Sequence, residues 1–161
     1  MYCFTFDEMF KKYLTKQEAL QKAKHYCAYQ ERCHSEVKEK LYGFGLWKND
    51  VEDLLSTLIE EDYLNEERFA IQFAGGRFRM KQWGRVKIKY ELKQKKVSDY
   101  LIKKALKEID EDDYLKTLKK LFEQKKKLLS AEKNIFIKKR KLQDFLMQKG
   151  YELQLIADLL K

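Results

Sequence analysis

Proline is absent from this chain of 161 residues and glycine occurs only six times, so few of the residues that break helices are present. What fills the space instead is rich in Lys, Glu, Leu and Gln, and an all-α fold is expected. Cysteine is scarce too. Cys3, Cys27 and Cys33 are an odd number with no framework of spacings, and no basic-then-apolar leader precedes them, so a reducing cytoplasm is the expected location. No apolar run approaches the roughly 18 residues of a membrane span, and no membrane partner is expected. The phosphate-cradling GxxxxGK[ST], the dinucleotide G-x-G-x-x-G and the nucleophile elbow are all missing. The only two histidines, His25 and His34, crowd into one helix end. No catalytic residues and no cofactor are therefore expected.

What is present is charge. With 44% apolar and 38% charged residues and a mean hydropathy of -0.70, the chain has too little apolar material for one large globule. Small units stacked in a row are the natural solution. The net charge of +9 is confined to one part of the chain. Residues 1–76 hold 10 Lys and Arg against 14 Asp and Glu, residues 77–107 hold 12 against 2, and residues 108–161 hold 13 against 10. The excess lies in the middle fifth, which points to an anionic partner, nucleic acid or an acidic protein surface, against the plainer reading of a lysine-solvated helix pair.

An internal repeat organises the chain. With Leu41, Leu92 and Leu146 aligned, Val37, Ile88 and Leu142 stand four residues earlier, Leu46, Val97 and Tyr151 five later, and Val51, Ile102 and Ile156 ten later. Leu54-Leu55, Ala105-Leu106 and Leu159-Leu160 follow at thirteen and fourteen. The spacing by four puts one helix face inward, and the later set makes the face of another. A further helix precedes each pair: Glu18 to Tyr29 in a segment running on toward Arg32, Glu66 to Ala74 ending near Gly75-Gly76, and Asp113 to about Lys127. The reading is a lead-in over 1–16 with a turn or two of helix around Met9 and Phe10, then three-helix repeats over 17–62, 63–110 (the basic one) and 111–161, in an elongated, curved array.

Turn residues fit this plan. Thr15 with Glu18 suits a capping box, Ser35 and Gly84 stand where second helices begin, and Asn49 and Ser98 where third ones do. Gly45 and Gly150 share a column suited to a left-handed C-cap, whereas Lys96 holds it in the middle repeat, so a different turn is expected there. The acidic clusters Glu60-Glu61-Asp62 and Asp110 to Asp113 fall at repeat boundaries, where they favour the next helix N-terminus.

The candidate chemistry is sparse. Cys27 and Cys33 with His34 invite a zinc site, but six helical residues turn the chain by about 240°, pointing the two thiols apart, and no metal is expected. The basic stretch is richer: Arg77, Arg79, Lys81 and Arg85 alternate with Phe78, Met80 and Trp83, and Lys87 and Lys89 continue it. Arginine forks suit carboxylates and phosphates, while Phe78 and Trp83 are expected in the core.

Three stretches resemble the RecX family of regulators of the RecA recombinase. Residues 29–41, including Arg32, Ser35 and Leu41, resemble that family's opening "R-x-x-S-x-x-E-L-x-x-K-L", Tyr63-Leu64-Asn65-Glu66-Glu67-Arg68-Phe69-Ala70 its centre "G-[YL]-[LI]-[ND]-D-x-R-[FY]-A", and Gly84 to Leu92 its "G-x-x-[RK]-[IL]-x-x-E-L". Asp62 and Lys96 depart from family glycines, Glu66 from an aspartate, and the third repeat matches weakly, with a longer first helix and connection. The resemblance implies a non-catalytic monomer that lies in the groove of the RecA–single-stranded-DNA filament and suppresses its ATPase, strand-exchange and co-protease activities in DNA repair and the SOS response. It places the partner contact on Arg77, Arg79, Lys81, Arg85, Lys87 and Lys89, with Arg68 as a further site expected to pair between repeats. The rival reading is a helix-turn-helix-like DNA-binding protein, which needs Arg, Asn or Gln at base-reading positions, where this chain has mostly lysine.

Overall fold

A computed structural model describes residues 13–161, so the helical turns expected around Met9 and Phe10 lie outside the described residues. Among the described residues there are nine α-helices and no strand: α1 Lys16–Tyr29, α2 His34–Gly43, α3 Lys48–Glu60, α4 Glu66–Lys81, α5 Arg85–Gln94, α6 Asp99–Lys107, α7 Glu111–Leu128, α8 Ile135–Lys149 and α9 Leu153–Leu160. They fall into three triplets, as the repeat requires. The chain divides into two compact units, with the division between Phe69 and Ala70 falling inside α4.

The first unit shows how the repeat folds. Thr15 closes the start of α1 with the expected capping box: its hydroxyl accepts from the Glu18 N–H at 3.2 Å, and the Glu18 carboxylate accepts from the Thr15 N–H at 2.9 Å. Such a cap contributes about 1 kcal/mol. The helix stops at Tyr29, short of Arg32. Cys33, not Ser35, holds the N-cap of α2, with Glu36 accepting its N–H, and Trp47 precedes α3 where Asn49 was expected. Both helices begin earlier than the polar residues suggested because the buried Val37, Leu41 and Val51 set the phase. Ala19, Ala23 and Cys27, spaced by four on α1, form a small-residue face against Val37 and Leu41 of α2 and Leu54, Leu55 and Leu58 of α3.

In the second unit α4 departs from expectation. It does not end at Gly75-Gly76 but continues to Lys81, with Ala74 and Phe78 buried on one face, and stops where Gln82 turns left-handed at φ 54°. Packing of that face overrides the helix cost of about 1 kcal/mol per glycine. Gly75 leaves room for the Arg79 guanidinium, which lies 2.7 Å from where a Cβ would sit. The core joins Ile88 and Leu92 of α5, Ile102 and Ala105 of α6, Tyr114, Leu118 and Leu121 of α7, Leu142 and Leu146 of α8, and Ile156 of α9.

Three columns of the repeat are buried throughout: Val37, Ile88 and Leu142; Leu41, Leu92 and Leu146; Val51, Ile102 and Ile156. The turn column corrects the sequence reading. Lys96 does not make a different turn; it adopts φ 63°, beside 83° at Gly45 and 91° at Gly150. The three N–H groups donate to the carbonyls of Tyr42, Lys93 and Met147, each at 2.9 Å. Holding a lysine there costs about 1–2 kcal/mol relative to glycine. Asp62, in place of the expected family glycine, is likewise left-handed at φ 58°.

Candidate anionic-partner interface

The start of α5 is fixed by the end of α8. The Gly84 N–H donates to the Lys149 carbonyl at 2.8 Å, the Val86 N–H to the Gly150 carbonyl at 3.0 Å, and Lys87 Nζ to the Gln148 carbonyl at 3.2 Å. The electropositive N-terminus of one helix thus satisfies carbonyls at the electronegative C-terminus of the other. Contact is so close that only glycine fits: a Cβ on Gly84 would stand 2.1 Å from the Gly150 carbonyl oxygen. Beneath this joint lies fully buried Tyr114, whose hydroxyl accepts the Arg85 N–H at 2.9 Å and donates to Glu152 at 2.7 Å. Tyr151 packs on it at 5.1 Å between ring centroids, and its hydroxyl donates to the Gln82 carbonyl at 3.3 Å. Burial pushes both tyrosine hydroxyls well above their ordinary pKa.

The basic residues divide into two groups on this frame. Arg85 is held by its own chain: the guanidinium lies 4.1 Å from the Tyr114 ring centroid, 2.5 Å from Glu111 and 3.9 Å from Glu152. Burial disfavours its charge, but Glu111 and Glu152 outweigh that and raise its pKa. Arg85 is therefore removed from the partner-facing set and belongs to the internal joint. Arg68 is engaged likewise within the first unit, pairing with Glu31 at 2.5 Å and Asp62 at 3.1 Å and donating to the Asp62 carbonyl at 3.0 Å.

Arg77, Arg79, Lys81, Lys87 and Lys89 have no carboxylate partner among the described residues. Arg77 stacks over Phe73 at 4.9 Å and Trp83 at 5.2 Å, and Lys87 sits 4.7 Å from the Trp83 centroid. Trp83 is thus half-buried beneath two cations rather than in the core, whereas Phe78 is buried as expected. The structure adds one residue that sequence reasoning missed. Lys149 donates to the Lys81 carbonyl at 3.3 Å, bringing a cation from the third repeat into the cluster. Its signal was available only in pairing Gly84 with Gly150, which no sequence period specifies. Cations held over aromatic faces and carbonyls, with no carboxylate to neutralise them, can take phosphates or carboxylates from outside.

Burial pushes the Cys27 thiol up to about 11, so it is not a thiolate at neutral pH. No group of three His, Cys, Asp or Glu converges as a metal site among the described residues. No described helix is long and apolar enough to cross a membrane.

Two family models match the chain: one described as RecX, second three-helix domain, over residues 65–106, and one as RecX, third three-helix domain, over 111–160. Together they cover more than half of it, including the third repeat, where the motif words are weakest. A protein named Regulatory protein RecX from Bacillus thuringiensis (strain Al Hakam) is 30% identical over 141 residues, 87% of this chain and 52% of its own length. One of the same name from Bacillus cytotoxicus is 29% identical over 141 residues, with the same coverage of 87% and 52%. The chain spans about half the length of the curated relatives it matches. A crystal structure of RecX from Lactobacillus salivarius superimposes with a TM-score of 0.81 at 22% identity, covering 90% of this chain and 93% of the other. A second RecX crystal structure gives 0.79 at 21% identity, covering 89% and 71%.

Proposed function

Because the chain belongs to the RecX family, we propose that it is a non-catalytic regulator that binds the RecA–single-stranded-DNA filament and suppresses its ATPase, strand-exchange and co-protease activities. The observation that carries this reading is the set of cations on the second repeat that meet no carboxylate among the described residues. Arg77, Arg79, Lys81, Lys87 and Lys89, joined by Lys149, meet acidic side chains or phosphates of the filament. Isolated charges of this kind exert a field that attracts an anionic polymer and steers its approach. The helix-turn-helix-like alternative gains little, since lysine neutralises phosphate but reads base edges poorly.

The test is the ATPase rate of RecA on single-stranded DNA with and without this protein, beside its binding to random duplex DNA. Inhibition at protein concentrations far below that of RecA supports the proposal. Tight duplex binding with no effect on the filament would reject it in favour of the alternative.

A further inference from the structure

The connected end of α7 and α8 joins apolar exposure to concentrated positive charge. Within residues 128–137 the fold leaves four large apolar side chains in water: Leu128 is 79% exposed, Ile135 62%, Phe136 81% and Ile137 44%. Leu128 ends α7, Ile135 begins α8, and only residues 129–134 lie between them. The two helices pack side by side, with Lys125 Nζ 5.1 Å from the Phe145 ring centroid. All four side chains therefore lie at one end of a helix pair. Successive helical residues point about 100° apart, so Ile135, Phe136 and Ile137 surround the start of α8, and no single neighbouring helix can bury them together.

This end is built rather than loose. Asn134 Oδ1 accepts from the Phe136 N–H at 3.0 Å and the Ile137 N–H at 3.2 Å, and Glu132 accepts from the Asn134 N–H at 3.2 Å and from Lys141 Nζ at 2.8 Å. Cations flank the apolar residues on both helices: residues 125–141 hold eight Lys and Arg against one Glu, which is Glu132 itself. Glu123, one turn further back on α7, reaches Lys126 only at 4.0 Å, at an exposed position where such a pair contributes little.

We propose that the end of the α7–α8 pair docks on an anionic lipid surface, Leu128 and Phe136 entering the headgroup boundary while the flanking lysines meet lipid phosphates. An apolar patch rimmed by cations matches a bilayer face, whose apolar interior lies behind a negative layer. Lysine stems reach along apolar surface and keep their ammonium groups in the polar layer. A surface contact needs no spanning helix, and none is present among the described residues. Other occupants fit less well. A second copy would bring two ends of the same sign together, and a nucleic acid would leave the aliphatic Leu128, Ile135 and Ile137 in water. An acidic amphipathic helix needs a groove in which to lay its apolar face, whereas these side chains project from a helix end. The inference concerns the third repeat and is independent of the filament reading.

The experiment sediments the full chain, without recombinase, with sucrose-loaded vesicles of phosphatidylcholine alone and of phosphatidylcholine mixed equally with phosphatidylglycerol. The parent binds the mixed vesicles, not the neutral ones, and binding weakens as salt is raised. Leu128→Ser with Phe136→Ser weakens binding to the mixed vesicles at least about tenfold. Lys127→Gln with Lys133→Gln and Lys139→Gln also weakens it at least about tenfold and flattens its salt dependence. All five positions are exposed, and circular dichroism verifies that both variants stay helical. The proposal is overturned if the parent does not prefer the anionic vesicles. It is equally overturned if the Leu128→Ser, Phe136→Ser variant binds like the parent, which would reduce adhesion to general basic charge, or if an acidic amphipathic peptide is captured and the vesicles are not.

Discussion

The joint between α5 and α8 makes the strongest demand on a single residue, and Gly84→Ala tests it. The added Cβ would lie 2.1 Å from the Gly150 carbonyl oxygen, 2.3 Å from its carbon and 2.5 Å from the Tyr151 nitrogen, all backbone atoms that no rotamer change can move. The two helix ends must separate by more than 1 Å to reach ordinary contact distance, since real Cβ contacts lie near 3.4–4 Å. Overpacking of this kind costs about 1–3 kcal/mol. Separation also weakens the bonds from Gly84 to Lys149 and from Val86 to Gly150, at about 1 kcal/mol each. The expected loss is about 3–5 kcal/mol for the second unit. With a urea dependence of roughly 1.5 kcal/mol/M, the midpoint falls by about 2–3 M. The two tryptophans lie in different units, Trp47 in the first and Trp83 in the second, so fluorescence in a Trp47→Phe background follows the second unit alone. Gly76→Ala is the control: nothing lies within 4 Å of its added Cβ inside α4, and it should stabilise by about 0.5–1 kcal/mol. If Gly84→Ala and Gly76→Ala shift the midpoint alike, the close-approach argument is wrong.

Two further predictions use the same unfolding assay. Lys96→Gly removes a side chain from a left-handed position and should stabilise the second unit by about 1 kcal/mol; a neutral or destabilising result would mean that the lysine side chain contributes more than its backbone strain costs. Tyr114 and Tyr151 have folded-state pKa values raised by burial, so their contribution is fully present below the unfolded value of about 10 and is lost as pH rises beyond it. Stability of the second unit should therefore fall above about pH 10, by up to about 2.7 kcal/mol per pH unit for two tyrosines, and a flat profile to pH 11 would contradict their burial.

Much of the architecture was legible because it depends on apolar spacing in a very polar chain. The columns through Leu41, Leu92 and Leu146 mark residues that must all leave water, and burial follows them across the repeats. The capping box at Thr15 was equally local, a cap and its partner three residues apart. What sequence concealed was decided by tertiary packing. Gly75 and Gly76 looked like a helix end, yet Ala74 and Phe78 pack on one face and carry α4 through. Lys96 looked incompatible with a left-handed turn, but the flanking buried Leu92 and Val97 impose it. Arg85 could not be told from its basic neighbours, because Glu111 and Glu152 lie 26 and 67 positions away in the chain. Lys149 escaped for the converse reason: only the glycine joint brings it beside Lys81.

The central claim is that cations on the second repeat that meet no carboxylate among the described residues grip an anionic filament, and charge reversal at Arg77, Arg79 and Lys81 tests it while leaving the Arg85 joint intact. RecA ATPase on single-stranded DNA is titrated with the parent chain and with the Arg77→Glu, Arg79→Glu, Lys81→Glu variant, both shown helical by circular dichroism. The account predicts inhibition by the parent and at least about tenfold more variant for the same effect, as expected for losing favourable charge contacts worth about 1.4 kcal/mol or more. Equal inhibition by the two proteins would contradict it.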